Sequence, residues 1–298
     1  MGNSNQGLNH AKVLATAAQP GLERLCKPPE NRFQTGTSVR GIERIEARFT
    51  GTMFAPHRHD TYALGLTLSG IQTFHYRGEQ RFSAAGNIII LHPDELHDGA
   101  AGTEAGLIYR MLYLPPQLIH EAAERHGQAL PFVRAPVIRD QALAAALYEA
   151  LHDLSASPED LEMDDLQMRL AAGLYRNSGA KTQSNSLIDA AAVRRVAEFL
   201  HDNISESVSS SQLEAISGMD RFALSRHFRR YMGTSPHRFQ IMRRLQHARS
   251  LLMQGNISLA EVAFSSGFAD QPHFTRHFKS TYGLAPGQWL SLFQQHRA

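Results

Sequence analysis

The sequence predicts an α+β protein with an N-terminal antiparallel β barrel, flanking helices and a C-terminal all-α domain. Three observations predict this order. Short β-rich runs fill the first part of the chain, leucines at helical spacing follow, and the last part contains one helical pattern twice. A chain of 298 residues is long enough for two domains.

The composition limits the class of protein. The apolar content is that of an ordinary globular chain, and no apolar run approaches the roughly 18 residues that span a bilayer. The beginning of the chain lacks the pattern of a secretion signal. Cys26 is the only cysteine, so no intramolecular disulfide can form. We therefore expect a cytoplasmic protein that does not associate with membranes.

The net charge of +2 hides an asymmetry between the two ends of the chain. Residues 187–298 contain 13 Lys and Arg against 8 Asp and Glu, whereas residues 1–186 contain 17 against 20. A basic C-terminal part favours a polyanionic partner for that part.

Four β-rich runs lie between about Ile42 and Pro115, separated by Gly, Pro and Asp. The runs are TYALGLTLSG, IQTFHYRG, NIIILHP and LIYRMLYLP. Runs of this length between turn residues predict a compact antiparallel unit, either a barrel or a sandwich. We predict the barrel.

Residues 140–175 change to a helical period, with a helix start signal at Ser157-Pro158. The leucines at this spacing are Leu143, Leu147, Leu151 and Leu154, then Leu166, Leu170 and Leu174. They either cover the β unit or form part of a dimer interface. The polar stretch RNSGAKTQSNS, residues 176–186, then predicts a linker.

The C-terminal part contains one element twice. With an offset of 50, Asp220, Arg226, His227, Phe228, Gly233 and Pro236 recur as Asp270, Arg276, His277, Phe278, Gly283 and Pro286, and Phe239 matches Trp289. Upstream of Gly218 and Gly267 the offset is 49, so the second turn has one extra residue.

Each copy predicts a helix-turn-helix unit. Ser209 with Gln212, and Ser258 with Glu261, have the spacing of a capping box, although Ser211 could also begin the first helix. A glycine then marks the turn, and an Asp caps a second helix, whose inner face carries Phe228 or Phe278. Ile241, Leu245, Ala248 and Leu252 predict a helix that ends at Gly255 and connects the copies.

The stretches GMDRFALSRHFRRYMGTSPHRF and GFADQPHFTRHFKSTYGLAPGQW resemble the DNA-binding domain of the AraC/XylS family of bacterial transcription regulators. The second stretch matches the family signature closely. The first departs from it at Glu214, where the family usually has a small residue, and at Ala223, where it often has His.

The resemblance implies that the second helix of each unit enters the major groove of double-stranded DNA. By position, the residues that contact bases are Arg221, Phe222, Ser225 and Arg226, with Gln271, Pro272, Thr275 and Arg276. Contacts with the phosphates of the DNA backbone are expected for Arg229, Arg230 and Lys279. A structural ion pair is the alternative role for Arg226 and Arg276.

The β unit resembles the cupin-like effector domain of the same family, and its histidines have two interpretations. His57 and His59 share one face of a strand, and His92 and His97 follow later, which is the ligand pattern of metal cupins. The Glu usual in such cupins is absent, with Ala63 and Leu64 in its place. We therefore predict an organic effector and no metal or other cofactor. The predicted pocket residues are His57, His59, Tyr62, Phe74, Tyr76, His97 and Tyr109.

We predict a one-component regulator and not an enzyme. Its parts are a cupin-like effector domain (1–139), a helical dimerisation segment (140–175), a linker (176–186) and a double helix-turn-helix domain (187–298). The resemblance implies a homodimer that activates neighbouring genes through RNA polymerase when a small-molecule effector binds. A metal-dependent cupin enzyme fused to a DNA-binding module is the alternative, and an architectural DNA binder without an effector is a third possibility.

Overall fold

A computed structural model describes residues 31–122, 129–156, 158–179, 188–255 and 257–294. The strands are β1 (Arg32–Thr35), β2 (Glu43–Phe49), β3 (Thr52–His57), β4 (Tyr62–Ser69), β5 (Ile71–Tyr76), β6 (Glu79–Ala84), β7 (Ile88–Leu91), β8 (His97–Ala101), β9 (Leu107–Leu114) and β10 (Val137–Ile138). They form a six-stranded sheet of order β1-β2-β9-β4-β7-β10 and a four-stranded sheet of order β3-β8-β5-β6, with antiparallel pairing throughout.

The predicted barrel is corrected to a two-sheet unit, because the described strands do not close on themselves. The four runs chosen from the sequence lie on β4, β5, β7 and β9. Alternating side chains on the central strands serve two different cores. Ile88 and Ile90 face the helices, whereas Ile89 and Leu91 face the second sheet.

Three helices accompany the sheets: α1 (Pro116–Ala122), α2 (Gln141–Leu151) and α3 (Asp160–Asn177). All seven leucines of the predicted stripe are buried in one cluster with β4, β7 and β9. They therefore cover the sheet within a single chain and are not free to form a dimer interface. Helix α3 begins after the cap residue Glu159 and continues two residues into the predicted linker. Ser157 and residues 180–187 lie outside the described residues, so the linker stays a prediction.

The C-terminal part contains α4 (Ala190–Asp202), α5 (Ser210–Ser217), α6 (Arg221–Met232), α7 (Pro236–Gln254), α8 (Leu259–Ser265), α9 (Gln271–Tyr282) and α10 (Pro286–Gln294). Helices α5–α6 and α8–α9 are the two predicted helix-turn-helix units, and α7 is the predicted connecting helix. No described helix is long and apolar enough to cross a membrane.

Local sequence determines how each helix of the repeat begins. Both predicted capping boxes are present, so α5 begins after Ser209 and not at Ser211. Asp220 accepts hydrogen bonds from the amides of Phe222 and Ala223 (2.8 and 3.0 Å), and Asp270 accepts one from His273 (2.6 Å). Helices α6 and α9 therefore have the same length of 12 residues at the predicted offset.

Glu214, which departs from the family pattern, has a structural role. Its Oε1 accepts a hydrogen bond from the Arg221 amide at 2.8 Å. The carboxylate thereby satisfies an amide that helix geometry leaves without an internal partner. Glu214 on α5 thus ties the first helix of the unit to the beginning of the second.

Candidate DNA-binding surface and interdomain cavity

The first two turns of α6 and α9 present several side chains to solvent. Arg221, Phe222, Arg226, Gln271, Pro272 and Arg276 are exposed, and Ser225 and Thr275 are half-buried. Phe222 is 63% exposed, and the Arg221 guanidinium lies over its ring at 5.0 Å. An exposed aromatic ring with a cation at a helix tip suits contact with base edges. Base contact by these residues stays a prediction.

The residues predicted at phosphates differ in their surroundings. Arg229 and Lys279 are exposed, whereas Arg230 is half-buried. The carbonyl oxygen of Arg230 accepts a hydrogen bond from the Leu130 amide at 3.4 Å, at the junction with the N-terminal domain. Arg226 and Arg276 form no ion pair with any carboxylate of the described residues. Their charge is thus available to a polyanion.

The second helices of the two helix-turn-helix units, α6 and α9, are called the recognition helices. Their inner faces have the same aromatic packing. Phe228 packs edge-on against Phe239 with ring centroids 5.5 Å apart, and Phe278 packs edge-on against Trp289 at 5.8 Å. Phe228 of α6 and Phe278 of α9 are fully buried, as predicted. The residue pairs that match in the sequence therefore have equivalent positions in the structure.

The C-terminal ends of both recognition helices dock on the N-terminal domain. Gly233 ends α6 and Gly283 ends α9, with φ of 74° and 72°, a backbone conformation that favours glycine. A Cβ at Gly233 would lie 2.5 Å from the Pro93 side chain, and one at Gly283 would lie 3.1 Å from the Ala55 carbonyl oxygen. Glycine is therefore required both for the turn and for the approach of the two domains.

Backbone hydrogen bonds and ring stacking extend this contact. The amides of Ala55 and Arg58 donate to the carbonyl oxygens of Gly283 (3.3 Å) and Ser280 (3.0 Å). On α1, the His120 ring stacks on Tyr231 of α6, with centroids 4.4 Å apart and planes 6° from parallel. Both recognition helices are thus held at the end opposite to the predicted DNA-contacting turn.

Three arginines of α7 form ion pairs across the domain boundary, and the first, Arg238, pairs with Asp94 at 3.8 Å. Arg243 pairs with Asp60, whose side chain is only 6% exposed. Arg249 pairs with Glu43 at 3.0 Å, and its guanidinium lies near the rings of Tyr282 (5.1 Å) and Trp289 (5.2 Å). Sequence reasoning missed these contacts and assigned α7 only a connecting role.

A cavity of about 580 Å³ lies between the two domains. Five of the seven predicted pocket residues line it, namely His57, His59, Phe74, His97 and Tyr109. The C-terminal domain contributes Phe239, Met242, Arg243, Gln246, Arg249 and Trp289. Tyr62 and Tyr76 lie elsewhere, since the Tyr62 hydroxyl donates to the Pro131 carbonyl oxygen (2.7 Å) and the Tyr76 hydroxyl bonds to His92 Nδ1 (3.0 Å).

The three cavity histidines share one local geometry. Each Nδ1 lies 2.8–2.9 Å from a backbone carbonyl oxygen, of Ala55, Thr61 or Glu95. A carbonyl oxygen only accepts, so each Nδ1 carries the proton. Burial lowers the pKa of all three imidazoles, and that of His59 falls to about 3. The rings are therefore neutral at pH 7, with a lone pair on each Nε2.

Among the described residues, no group of three or more His, Cys, Asp or Glu side chains has an arrangement that could hold a metal ion. His92 stands apart from the cavity cluster, because its Nε2 accepts a hydrogen bond from the Val133 amide (2.9 Å).

The sequence of α7 contains a pattern for the part of the cavity wall that was not predicted. Arg243, Gln246, Arg249 and Met253 recur at intervals of three or four residues, on a face beside the buried face of Leu245. The sequence therefore contained a helical face of the right period, but nothing in it identified the surface that this face meets.

These features define a DNA-binding regulator with a ligand-binding domain. The model of the AraC-like ligand binding domain matches residues 40–171, and a helix-turn-helix domain model matches residues 213–291. The HTH-type transcriptional regulator YbfI of Bacillus subtilis is 29% identical over 235 residues, which cover 77% of this chain and 85% of YbfI. The transcriptional activator RhaS of Escherichia fergusonii is 27% identical over 265 residues, covering 81% of this chain and 89% of RhaS.

Among solved structures, ToxT of Vibrio cholerae bound to an unsaturated fatty acid has the same fold, with a TM-score of 0.59. The sequences are 15% identical, and the likeness covers 89% of this chain and 97% of ToxT. The chain belongs to the AraC family of transcriptional regulators, with an N-terminal ligand-binding domain and a C-terminal helix-turn-helix DNA-binding domain.

Proposed function

We propose that this regulator activates neighbouring genes when a small-molecule effector enters the interdomain cavity. One observation carries the proposal: the cavity wall is built from both the ligand-binding domain and the DNA-binding domain. A molecule bound there contacts both domains, so its affinity depends on how they are arranged. An effector shifts the equilibrium between two arrangements only by such a difference in affinity.

A short physical path joins the cavity to a recognition helix. His57 lines the cavity, and a Cβ placed at Gly283, the residue that ends α9, would lie 3.2 Å from His57 Nδ1. A ligand that moves the His57 strand therefore displaces the end of α9. This contact supports a coupling between effector binding and the orientation of the second recognition helix.

The relatives support activation as the effect on transcription and a small organic molecule as the effector. RhaS is named a transcriptional activator, and ToxT, similar in fold, binds an unsaturated fatty acid. We propose activation through RNA polymerase in the cytoplasm, with domain boundaries at residues 139 and 186 as predicted and the end of the helical segment at Asn177, the last residue of α3. We propose no enzymatic activity, because the relatives that cover most of the chain are transcriptional regulators.

An Arg276→Ala variant tests the proposed DNA contact. Arg276 lies exposed in the second turn of α9, where arginine can bond bidentately to guanine. We expect a loss of about 1–3 kcal/mol in binding, together with relaxed specificity at one half-site. The measurement is fluorescence anisotropy with a duplex that the wild-type chain selects from a random library.

The matched control is Arg32→Ala, which removes an exposed arginine from β1. Binding to the selected duplex should change little in this control. Equal affinities and unchanged base preference for Arg276→Ala would contradict the assigned contact.

We propose that the outer face of α3 forms the homodimer interface. Leu161 is 79% exposed and Met168 is 59% exposed, and the exposed Ala172 continues their helical face. We expect the Leu161→Glu, Met168→Glu double variant to sediment as a monomer, because two carboxylates from each protomer would be buried against each other across the interface. Phe264→Glu, at an 81% exposed position outside α3, is the control and should leave the assembly unchanged. A dimeric double variant would refute this interface.

A further inference from the structure

The cavity contains an unusual cluster of hydrogen-bond acceptors. The rings of His57 and His97 lie 4.3 Å apart, those of His59 and His97 lie 4.9 Å apart, and those of His57 and His59 lie 6.4 Å apart. Because each Nδ1–H is already bonded to a carbonyl oxygen, only the Nε2 atoms remain for a ligand. His59 Nε2 is buried and has no partner within the described residues. A buried acceptor without a donor is costly, so the cluster is suited to a ligand that donates.

The charges around the cluster restrict which donor fits. The positive charge of Arg238 contributes to the lowered pKa of His59, so it would also repel an ammonium group. Asp60, next to His59 in the chain, is paired with Arg243, and the other carboxylates of the cavity wall, Glu43 and Asp98, are bonded to Arg249 and His75. A carboxylate ligand would present acceptors to acceptors. A neutral hydroxyl is the group that donates to Nε2 without either conflict.

Aromatic rings line part of the same wall, together with aliphatic and charged side chains such as Leu91, Met111 and Arg44. The Phe54 ring lies 5.8 Å from the His57 ring, and Phe74 and Tyr109 line the same space. Imidazoles that donate at Nδ1 to carbonyl oxygens are stronger acceptors at Nε2, which favours an acidic hydroxyl such as that of a phenol. An aromatic ligand also gains edge-to-face contacts with such a wall.

A second acceptor without a partner in the described part of the chain lines the cavity at another position. Gln72 is 6% exposed, lines the cavity, and its Oε1 has no partner within the described residues. Tyr76 pairs with His97 across β5 and β8, and Gln72 precedes Tyr76 by four residues, or about 13 Å along a strand. The cavity can thus hold a molecule longer than one ring.

We propose that the cavity binds a neutral aromatic compound with a hydroxyl group, which donates its one proton to the Nε2 atom of His59, unpartnered within the described residues, in the cluster of His57, His59 and His97. This proposal rests on the proposed role of the cavity as the effector site and names the chemical class of the effector. His59 determines specificity for the hydroxyl, and Phe54, Phe74 and Tyr109 contact the ring.

The probes for a test are 2-naphthol and 2-methoxynaphthalene. They share the ring system and the oxygen atom, but the methyl ether cannot donate. We expect calorimetry on the full chain at pH 7 to give about tenfold tighter binding of 2-naphthol, corresponding to one hydrogen bond. Nitrogen-15 NMR of the histidines should show the Nε2 resonances of the cluster shifting with 2-naphthol alone.

His59→Phe keeps an aromatic ring and removes the acceptor, so the preference for 2-naphthol should fall toward equality. His201→Phe makes the same change at an exposed position of α4 and should retain the full preference. If His59→Phe does not fold, the NMR shifts of the wild-type histidines decide alone. Equal binding of the two probes to the wild type, or no binding of 2-naphthol, would overturn the proposal.

The test separates this proposal from the proposed function. Probe binding is measured without DNA, whereas the coupling is measured as a change in DNA affinity on addition of 2-naphthol. A bound naphthol that leaves DNA affinity unchanged supports the ligand class and contradicts the cavity as effector site. A change in DNA affinity that another compound causes, without any preference for 2-naphthol, supports the cavity as effector site and contradicts the proposed ligand class.

Discussion

The Phe278→Ala variant is expected to lose about 3–5 kcal/mol of folding free energy in the C-terminal domain. Phe278 is fully buried on the inner face of α9, where its ring contacts those of Phe274 (5.5 Å), Tyr282 (4.6 Å) and Trp289 (5.8 Å). Truncation removes these contacts and leaves a cavity between α9, α7 and α10 that three rigid rings cannot fill. The loss should be read from denaturant unfolding followed by tryptophan fluorescence, because Trp289 is the only tryptophan of the chain.

Two further variants make this result specific. Phe228→Ala removes the equivalent ring of the first unit and should cost a similar amount, since Phe228 is also fully buried. Phe264→Ala removes a ring that is 81% exposed on α8 and should change stability by less than about 0.5 kcal/mol. If Phe278→Ala were as mild as Phe264→Ala, α9 would not be anchored as the structure indicates.

The repeat could be predicted because its structure depends on near neighbours in the chain. Ser209 reaches an amide three residues away, and Asp270 does the same for His273. The aromatic pairs Phe228–Phe239 and Phe278–Trp289 span only 11 residues. Such contacts have fixed sequence offsets, so duplicated residues indicate duplicated structure.

The β unit was predicted less completely, because strand pairing is nonlocal. The pattern identified strands, but whether the outermost strands meet to close a barrel depends on residues far apart in the chain. Strand β4 is buried on both faces, so alternation alone cannot say which face contains the cavity. Tyr62 therefore lies on the helix side, while Ala63 lies on the cavity side.

The shared cavity could not be derived from the sequence. It depends on pairs such as Asp60 with Arg243, which are 183 positions apart. The arginines of α7 also fitted the general expectation that a DNA-binding domain is basic. Only the packing of the domains distinguishes those that contact Asp60 and Glu43 from those available to DNA.

The Asp60→Asn variant is expected to weaken the contact between the domains by about 3 kcal/mol. Asp60 and Arg243 have side chains that are only 6% and 15% exposed. Replacing the carboxylate with an amide leaves the guanidinium buried beside the Phe239 ring (4.7 Å) without its counter-charge. The domains then separate more often, because separation returns Arg243 to water.

Hydrogen exchange can detect this separation at two atoms. The amides of Ala55 and Arg58 are bonded to the end of α9, so they exchange only when the domains part. A loss of about 3 kcal/mol corresponds to roughly a hundredfold faster exchange at both amides. Amides of the β2–β9 pairing lie within one sheet and should exchange at the wild-type rate.

Two controls link faster exchange to the buried charge and to regulation. Glu149→Gln neutralises the exposed partner of Arg169 within one domain and should leave both amides protected. Adding Arg243→Met to Asp60→Asn removes the unpaired charge and should restore part of the protection, since the two residues act as one pair.

Because the same pair lines the cavity, a molecule that binds there only in the docked arrangement should slow exchange in Asp60→Asn. Unchanged exchange in Asp60→Asn would mean that this ion pair does not hold the recognition helices against the ligand-binding domain.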